Sequence, residues 1–423
     1  MLALRLARGA HPLVQLRRLL VAAASAGTGF LLLCTLAYAL EHPGAGAVLR
    51  LTWCLAPIAA TVYFAVAVAR TDPGTRPRSG LSAVGLGPTR LMVLATVSTA
   101  VACALGSMVA LLFFLHLRGD VSGLPFDGAA ADMLAAERPL PLAGALTLLA
   151  VVPLTASAAS AFALRPRPAK ANTKTTAKTK TTAETTTEAT GAEPGSESGS
   201  ESGSESGSAP ADGAEPDAPA PPPSGLPWGV ALLAAGLAVE TYASGSDGGP
   251  RSGVPMPGGA DGSSGGVLAG WALTALGLML AGPGLTYLCG RLLQAVRPGA
   301  LRLLAGRVLQ EEARRVGRPL GVLCAVASAA YASIALYAGP RPQAGPLTAL
   351  GGLLVAGCVV LTLAMAAVEA RQSREETTAA LLRLGAPATV LRGSAALRAG
   401  ALAAVFGPLT WLVAELAALP LAR

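Results

Sequence analysis

LMVLATVSTAVACALGSMVALLFFLH, residues 91–116, contains no Asp, Glu, Lys or Arg. Hydrocarbon about 30 Å thick needs roughly 20 helical residues at 1.5 Å each, so an apolar run of this length reads as a spanning helix. Eight further runs are long and almost without charge: 19–40, 51–69, 140–164, 226–243, 267–290, 320–338, 348–368 and 394–422. Of these only 226–243 (Glu240) and 394–422 (Arg398, Glu415) hold a charged residue. The third and ninth runs are long enough to tilt or to extend past the membrane, and Gly407-Pro408 predicts a kink in the ninth. The first run is long and lacks a small-residue cleavage site, so it is expected to stay in the protein as a helix.

Composition agrees with this reading. Of the 423 residues, 52% are hydrophobic and only 13% charged, with a mean hydropathy of +0.54. A soluble chain would need about a quarter of its residues charged. The apolar residues also come in long uncharged blocks instead of at scattered core positions. All six cysteines (Cys34, Cys54, Cys103, Cys289, Cys324, Cys358) fall inside these blocks and read as small buried side chains.

The net charge of +8 could suggest nucleic acid, but its placement argues against that partner. No basic domain and no aromatic-plus-basic cluster occurs. The cations sit instead in short segments between runs. With the N-terminus in the cytoplasm, the inner segments (1–18, 70–90, 165–225, 291–319 and 371–392) hold 25 Lys plus Arg against 5 in the outer loops. The positive-inside rule therefore sets the N-terminus inside, and nine spans then put the C-terminus outside. The expected location is the cell membrane.

The chain divides into a first four-helix half at 1–164, a linker at 165–225, two connecting helices at 226–290, a basic cytoplasmic segment at 291–319, and a second membrane half at 320–423. The linker runs from a Thr-rich stretch holding all four lysines, through GSESGSESGSESGS, to Pro221–Pro223. With almost no apolar content it is expected to be a disordered cytoplasmic tether. The Gly/Ser-rich outer loop 244–266 is equally unable to fold alone.

Two inner loops share a pattern. RPRSGLSAVGLGPTRLMVLAT starts at Arg76 and RQSREETTAALLRLGAPATVLRGSAA at Arg371. At an offset of 300, Leu81, Val84 and Gly85 fall on Leu381, Leu384 and Gly385. Thr89, Leu91 and Ala95 fall on Thr389, Leu391 and Ala395. The second copy predicts a short amphipathic helix with Leu381 and Leu384 on one face. Arg374, Glu375 and Glu376 lie at its start, where acids suit the helix dipole, and Gly385 serves as a left-handed C-cap. An ordinary interfacial helix anchoring the loop fits the same pattern.

The Arg-x-x-Arg-Glu-Glu lead-in, the Leu-Leu-Arg-Leu-Gly-Ala that follows and the span after it resemble the signature loop of FtsX-like (MacB-type) ABC transporter permeases. The first copy is similar but lacks the acids, and 301–319 resembles the approach to the second half of such permeases. The resemblance implies an all-α polytopic fold of about nine spans in two related halves, ordered four, two, three. It also implies coupling-type helices formed by Leu81, Val84, Gly85, Arg374, Glu375, Glu376, Leu381, Leu384 and Gly385, which would dock a cytoplasmic ABC ATPase subunit. A homodimer or a heterodimer of permeases would complete the complex. Two departures stand out: the loops at 41–50 and 339–347 leave no room for the family's extracellular domain, and its tenth span is missing.

No Gly-x-x-x-x-Gly-Lys-Ser/Thr loop occurs, so ATPase activity would belong to the partner. His11, His42 and His116 are isolated, no metal-ligand spacing appears, and no nucleophile elbow is present, so no cofactor and no enzyme activity are expected. Two acids lie inside spans. Glu240 is expected to reach water near the outer end of the fifth. Glu415, in the ninth, is the better candidate for a polar contact within the bundle, or it snorkels outward. Two other functions stay open: a degenerate, non-transporting scaffold or regulator, and an ion-coupled secondary transporter, which would need polar or broken helices near the midplane.

Overall fold

In hydrocarbon every backbone N–H and C=O must find its partner inside its own segment, so long apolar runs become helices. The structure, a computed structural model, describes residues 12–43, 50–71, 88–121, 128–131, 134–165, 225–245, 265–295, 299–337, 345–385 and 387–418. The first half supplies α1 (Pro12–Glu41), α2 (Leu55–Thr71), α3 (Pro88–Arg118) and α4 (Leu142–Leu164). The connecting pair is α5 (Gly225–Gly245) and α6 (Gly265–Ala295). The second half supplies α7 (Ala300–Tyr337), α8 (Pro346–Ser373), the short α9 (Glu375–Arg383) and α10 (Ala388–Ala418). No strand occurs among the described residues. All but α9 are long and apolar enough to cross a membrane, nine helices among the described residues. The chain is an all-α polytopic membrane protein.

The surface carries the same conclusion as the core. On α3 one face buries Leu91, Ala95, Cys103, Ala110 and Phe114, while Val93, Leu94, Val97, Val101, Leu105, Met108, Val109, Leu112 and Phe113 are exposed on the other. A helix apolar all round suits lipid. Polar side chains lie between helices, where several bond across to a neighbouring helix. Thr28 on α1 bonds Thr61 on α2 at 2.8 Å, and Ser25 on α1 donates to the Cys103 carbonyl on α3 at 2.8 Å. All six cysteines are buried.

The two halves repeat in their packing. Ser25 Oγ lies 3.4 Å from Ser107 Oγ, joining α1 to α3. In the second half Ser328 Oγ donates to the Thr410 carbonyl at 3.2 Å, joining α7 to α10 across the same separation of 82 residues. Cys324 Sγ likewise reaches the Phe406 carbonyl at 4.0 Å. The Ser25–Ser107 and Ser328–Thr410 pairs set an equivalence of 303 residues (25 to 328, 107 to 410). At that offset the buried Leu91, Cys103, Ala110 and Phe114 of α3 fall on the buried Ser394, Phe406, Val413 and Ala417 of α10. The ends of the same two helices, Pro88–Arg118 and Ala388–Ala418, match at the sequence offset of 300, three residues from the contact-based value. Three residues fall 60° short of a full turn, and so many positions are Ala or Leu that apolar matches survive the slip. The halves meet where α2 packs on α8, with Phe64 and Val68 against Cys358 and Met365.

Two elements run further than the apolar blocks alone indicate. The expected span 320–338 forms the C-terminal part of α7, which starts at Ala300 and takes in the basic segment up to Pro319. α10 begins at Ala388, six residues before 394, and is continuous through Pro408. The tether 165–225, apart from its end residues, most of the Gly/Ser-rich loop 244–266 (246–264) and the whole first copy of the loop pattern (Leu81, Val84, Gly85) lie outside the described residues.

Candidate functional site

The second loop copy forms a defined structure between α8 and α10. α8 ends at Ser373, and Arg374 breaks the helix with φ −103° and ψ −2°. Its carbonyl accepts the Thr378 amide at 2.8 Å, which opens the first turn of α9. Glu375 and Glu376 are the first two residues of that helix, where the helix dipole favours negative charge. The helix closes as its sequence requires. The Gly385 amide donates to the Leu382 carbonyl at 3.1 Å, and Gly385 adopts φ +86°, a left-handed conformation that glycine enters without steric cost. The chain then turns within a few residues into α10.

Arg374 binds α9 to the bundle. Its Nε donates to the Ala370 carbonyl on α8 at 2.9 Å and lies 2.8 Å from Glu312 Oε1 on α7. Glu312 Oε2 is in turn 3.9 Å from Arg398 Nη1 on α10, and Arg398 Nε donates to the Ser394 carbonyl at 3.2 Å. One carboxylate, with its side chain 12% exposed, thus sits between two guanidiniums and joins α7, the α8–α9 junction and α10. The contacts are ionic and poorly aligned: Glu312 Oε1 and Arg398 Nη1 have no hydrogen-bond partner among the described residues. Attraction between charges survives small shifts better than an aligned hydrogen bond does, so the junction tolerates movement.

Of the residues singled out in the sequence, Arg374, Glu375, Glu376, Leu381, Leu384 and Gly385 share this one short element. Leu384 is 83% exposed and Leu382 47% exposed. Apolar side chains therefore stand out beside the charged cluster, uncovered by the described residues. Sequence reading missed Glu312. Its signal was present, since it belongs to the only acidic pair in the arginine-rich stretch 301–319, but no spacing rule connects it to Arg374.

The intramembrane acids divide differently from expectation. Glu415 accepts a hydrogen bond from Tyr331 Oη at 2.8 Å, tying α10 to α7. The pair lies at the bundle surface, with Tyr331 43% exposed. Glu240, expected to reach water, is fully buried instead and accepts a hydrogen bond from Trp271 Nε1 at 2.6 Å. Sequence position put it near a helix end, but close packing of α5 on α6 seals it. The chain matches no protein-family model, no curated protein and no solved structure.

Proposed function

We propose that this chain is the membrane-spanning permease subunit of an ABC-type transport or mechanotransmission complex, with α9 as the element that docks a separate cytoplasmic ATPase. The observation that carries the reading is α9 itself. It is a short helix between two spans, closed by a left-handed glycine, showing exposed Leu382 and Leu384 and held to three long helices through Arg374, Glu312 and Arg398. A partner seated on α9 would pull on α7, α8 and α10 together, which is what a coupling element needs. The excess of cations in the segments on this side supports a cytoplasmic position for it.

The test is affinity purification of the full-length chain in mild detergent with ATP trapped. Recovery of an ATPase that is lost with Leu384→Asp, while the variant keeps its helical content and elution volume, supports the reading. Failure to recover an ATPase under any trapping condition refutes it. One observation favours ion-coupled transport as a second reading: Glu240 is a carboxyl sealed inside the membrane region. Transport that collapses with the proton gradient and ignores ATP would support that reading.

A further inference from the structure

The connecting helices α5 and α6 are packed closely enough to make a dry seam. Gly229 and Gly236 on α5 run antiparallel to Gly270 and Gly277 on α6, seven residues apart on each helix. A Cβ at Gly270 would stand 2.8 Å from the Gly236 carbonyl oxygen and 2.9 Å from the Glu240 amide nitrogen. Backbones this near leave no room for water between them.

Glu240 lies one turn beyond Gly236, opposite Gly270, and is 0% exposed. Trp271 Nε1 satisfies one carboxyl oxygen, Oε1. The other oxygen, Oε2, is buried and has no hydrogen-bond partner among the described residues, and the same holds for Thr274 Oγ1. Trp271 and Thr274 are three apart on α6, so they share the face that Glu240 meets.

Among the described residues, positive charge is scarce around this acid. α5 packs on α6 and α10. The other titratable groups on α5 and α6 are Tyr242, which is 80% exposed, then Tyr287, Cys289 and Arg291. Arg291 is twenty residues beyond Trp271, about 30 Å along the helix. On α10, Arg398 is engaged with Glu312 and Glu415 with Tyr331, while Arg392 lies near the start of the helix, six residues before Arg398. An ionised carboxylate without a counter-charge is costly in such a site. A proton on Oε2 removes the charge and turns that oxygen from an acceptor into a donor.

We propose that Glu240 is a proton-binding site within the membrane. It is loaded from the end of the bundle opposite α9, and the α5–α6 seam stays closed while the proton is bound. Glu240 is five residues from the end of α5, roughly 8 Å, so the path to that end is short. Loss of the proton leaves a charge that the seam cannot hold, so the two helices must part locally. The inference does not rest on the permease reading.

The experiment is infrared spectroscopy of the full-length chain in lipid nanodiscs as the pH is raised. A carboxylic C=O band is expected that is absent in Glu240→Gln, shifts in deuterated water, and disappears at high pH as the carboxylate forms. Trp271→Phe should move that band to higher frequency by removing its hydrogen bond, which keeps the test valid if Glu240→Gln fails to fold. Three results overturn the proposal. The first is no acid band at any pH, with one emerging in Arg251→Gln, since the outer loop would then supply a counter-charge. The second is a band unchanged over the whole range in which the chain stays folded. The third is a band that responds to replacing sodium with choline at fixed pH, since the ligand would then be a metal cation.

Discussion

Replacing Glu312 with Gln keeps its shape and removes the one negative charge between Arg374 and Arg398. The structure sets the scale of the effect. At an effective dielectric of about 20, a unit pair at the 2.8 Å of Arg374 attracts by about 6 kcal/mol, and one at the 3.9 Å of Arg398 by about 4 kcal/mol. Desolvation offsets most of this. The Arg374 side chain is 29% exposed, so its share is screened further. What remains for Glu312→Gln is about 3 kcal/mol, the lower end of the loss seen when one partner of a buried pair is removed.

Arg374→Gln should cost less, about 1 kcal/mol, because Glu312 keeps Arg398. The order Glu312→Gln worst, then Arg374→Gln and Arg398→Gln together, follows from the carboxylate being shared. Apparent thermal midpoints in one detergent, read by tryptophan fluorescence, test the order. The double variant Glu312→Gln/Arg374→Gln should lose clearly less than the two singles combined, with a coupling above about 0.5 kcal/mol. Additive losses would refute the reasoning, because the 2.8 Å approach would then carry no energy and α9 would not be tied to α7 through it.

Other expectations follow from single residues. Leu384→Asp should weaken binding of a recovered ATPase by about 10- to 100-fold, the value of burying one leucine, in a pull-down titration with the fold intact. Gly385→Ala forces a Cβ into φ +86° and should lower stability by about 1–2 kcal/mol, although open space surrounds the site. Gly270→Val places a branched side chain against the α5 backbone. It should separate α5 from α6, read as loss of cysteine cross-linking between the two helices, while a conservative exchange on the exposed face of α3, Val97→Leu, leaves that cross-link unchanged.

Each run of roughly twenty nearly uncharged residues reads as a helix, because a helix pairs every backbone group within its own segment, whereas a spanning strand is only about ten residues long. All nine runs accordingly reappear as helices that can cross a membrane. Gly385 was also legible, since a glycine directly after an amphipathic turn of Leu and Arg is the common way to end a helix. The register of the repeat was not. Identity in an Ala- and Leu-rich chain barely distinguishes 300 from 303: the ends of α3 and α10 fit the first, and contacts such as Ser25 to Ser107 and Ser328 to Thr410 fit the second. Glu240 escaped for a related reason. Whether an acid near a helix end meets water depends on how close the next helix comes, and here that is set by Gly236 meeting Gly270, an opposition that no spacing along the chain reveals. The cluster around Glu312 is the same case at the other end of the bundle, where three residues between 312 and 398 act as one unit. Helices are written locally in this chain, whereas the groups most able to sense or transmit a signal exist only where helices meet.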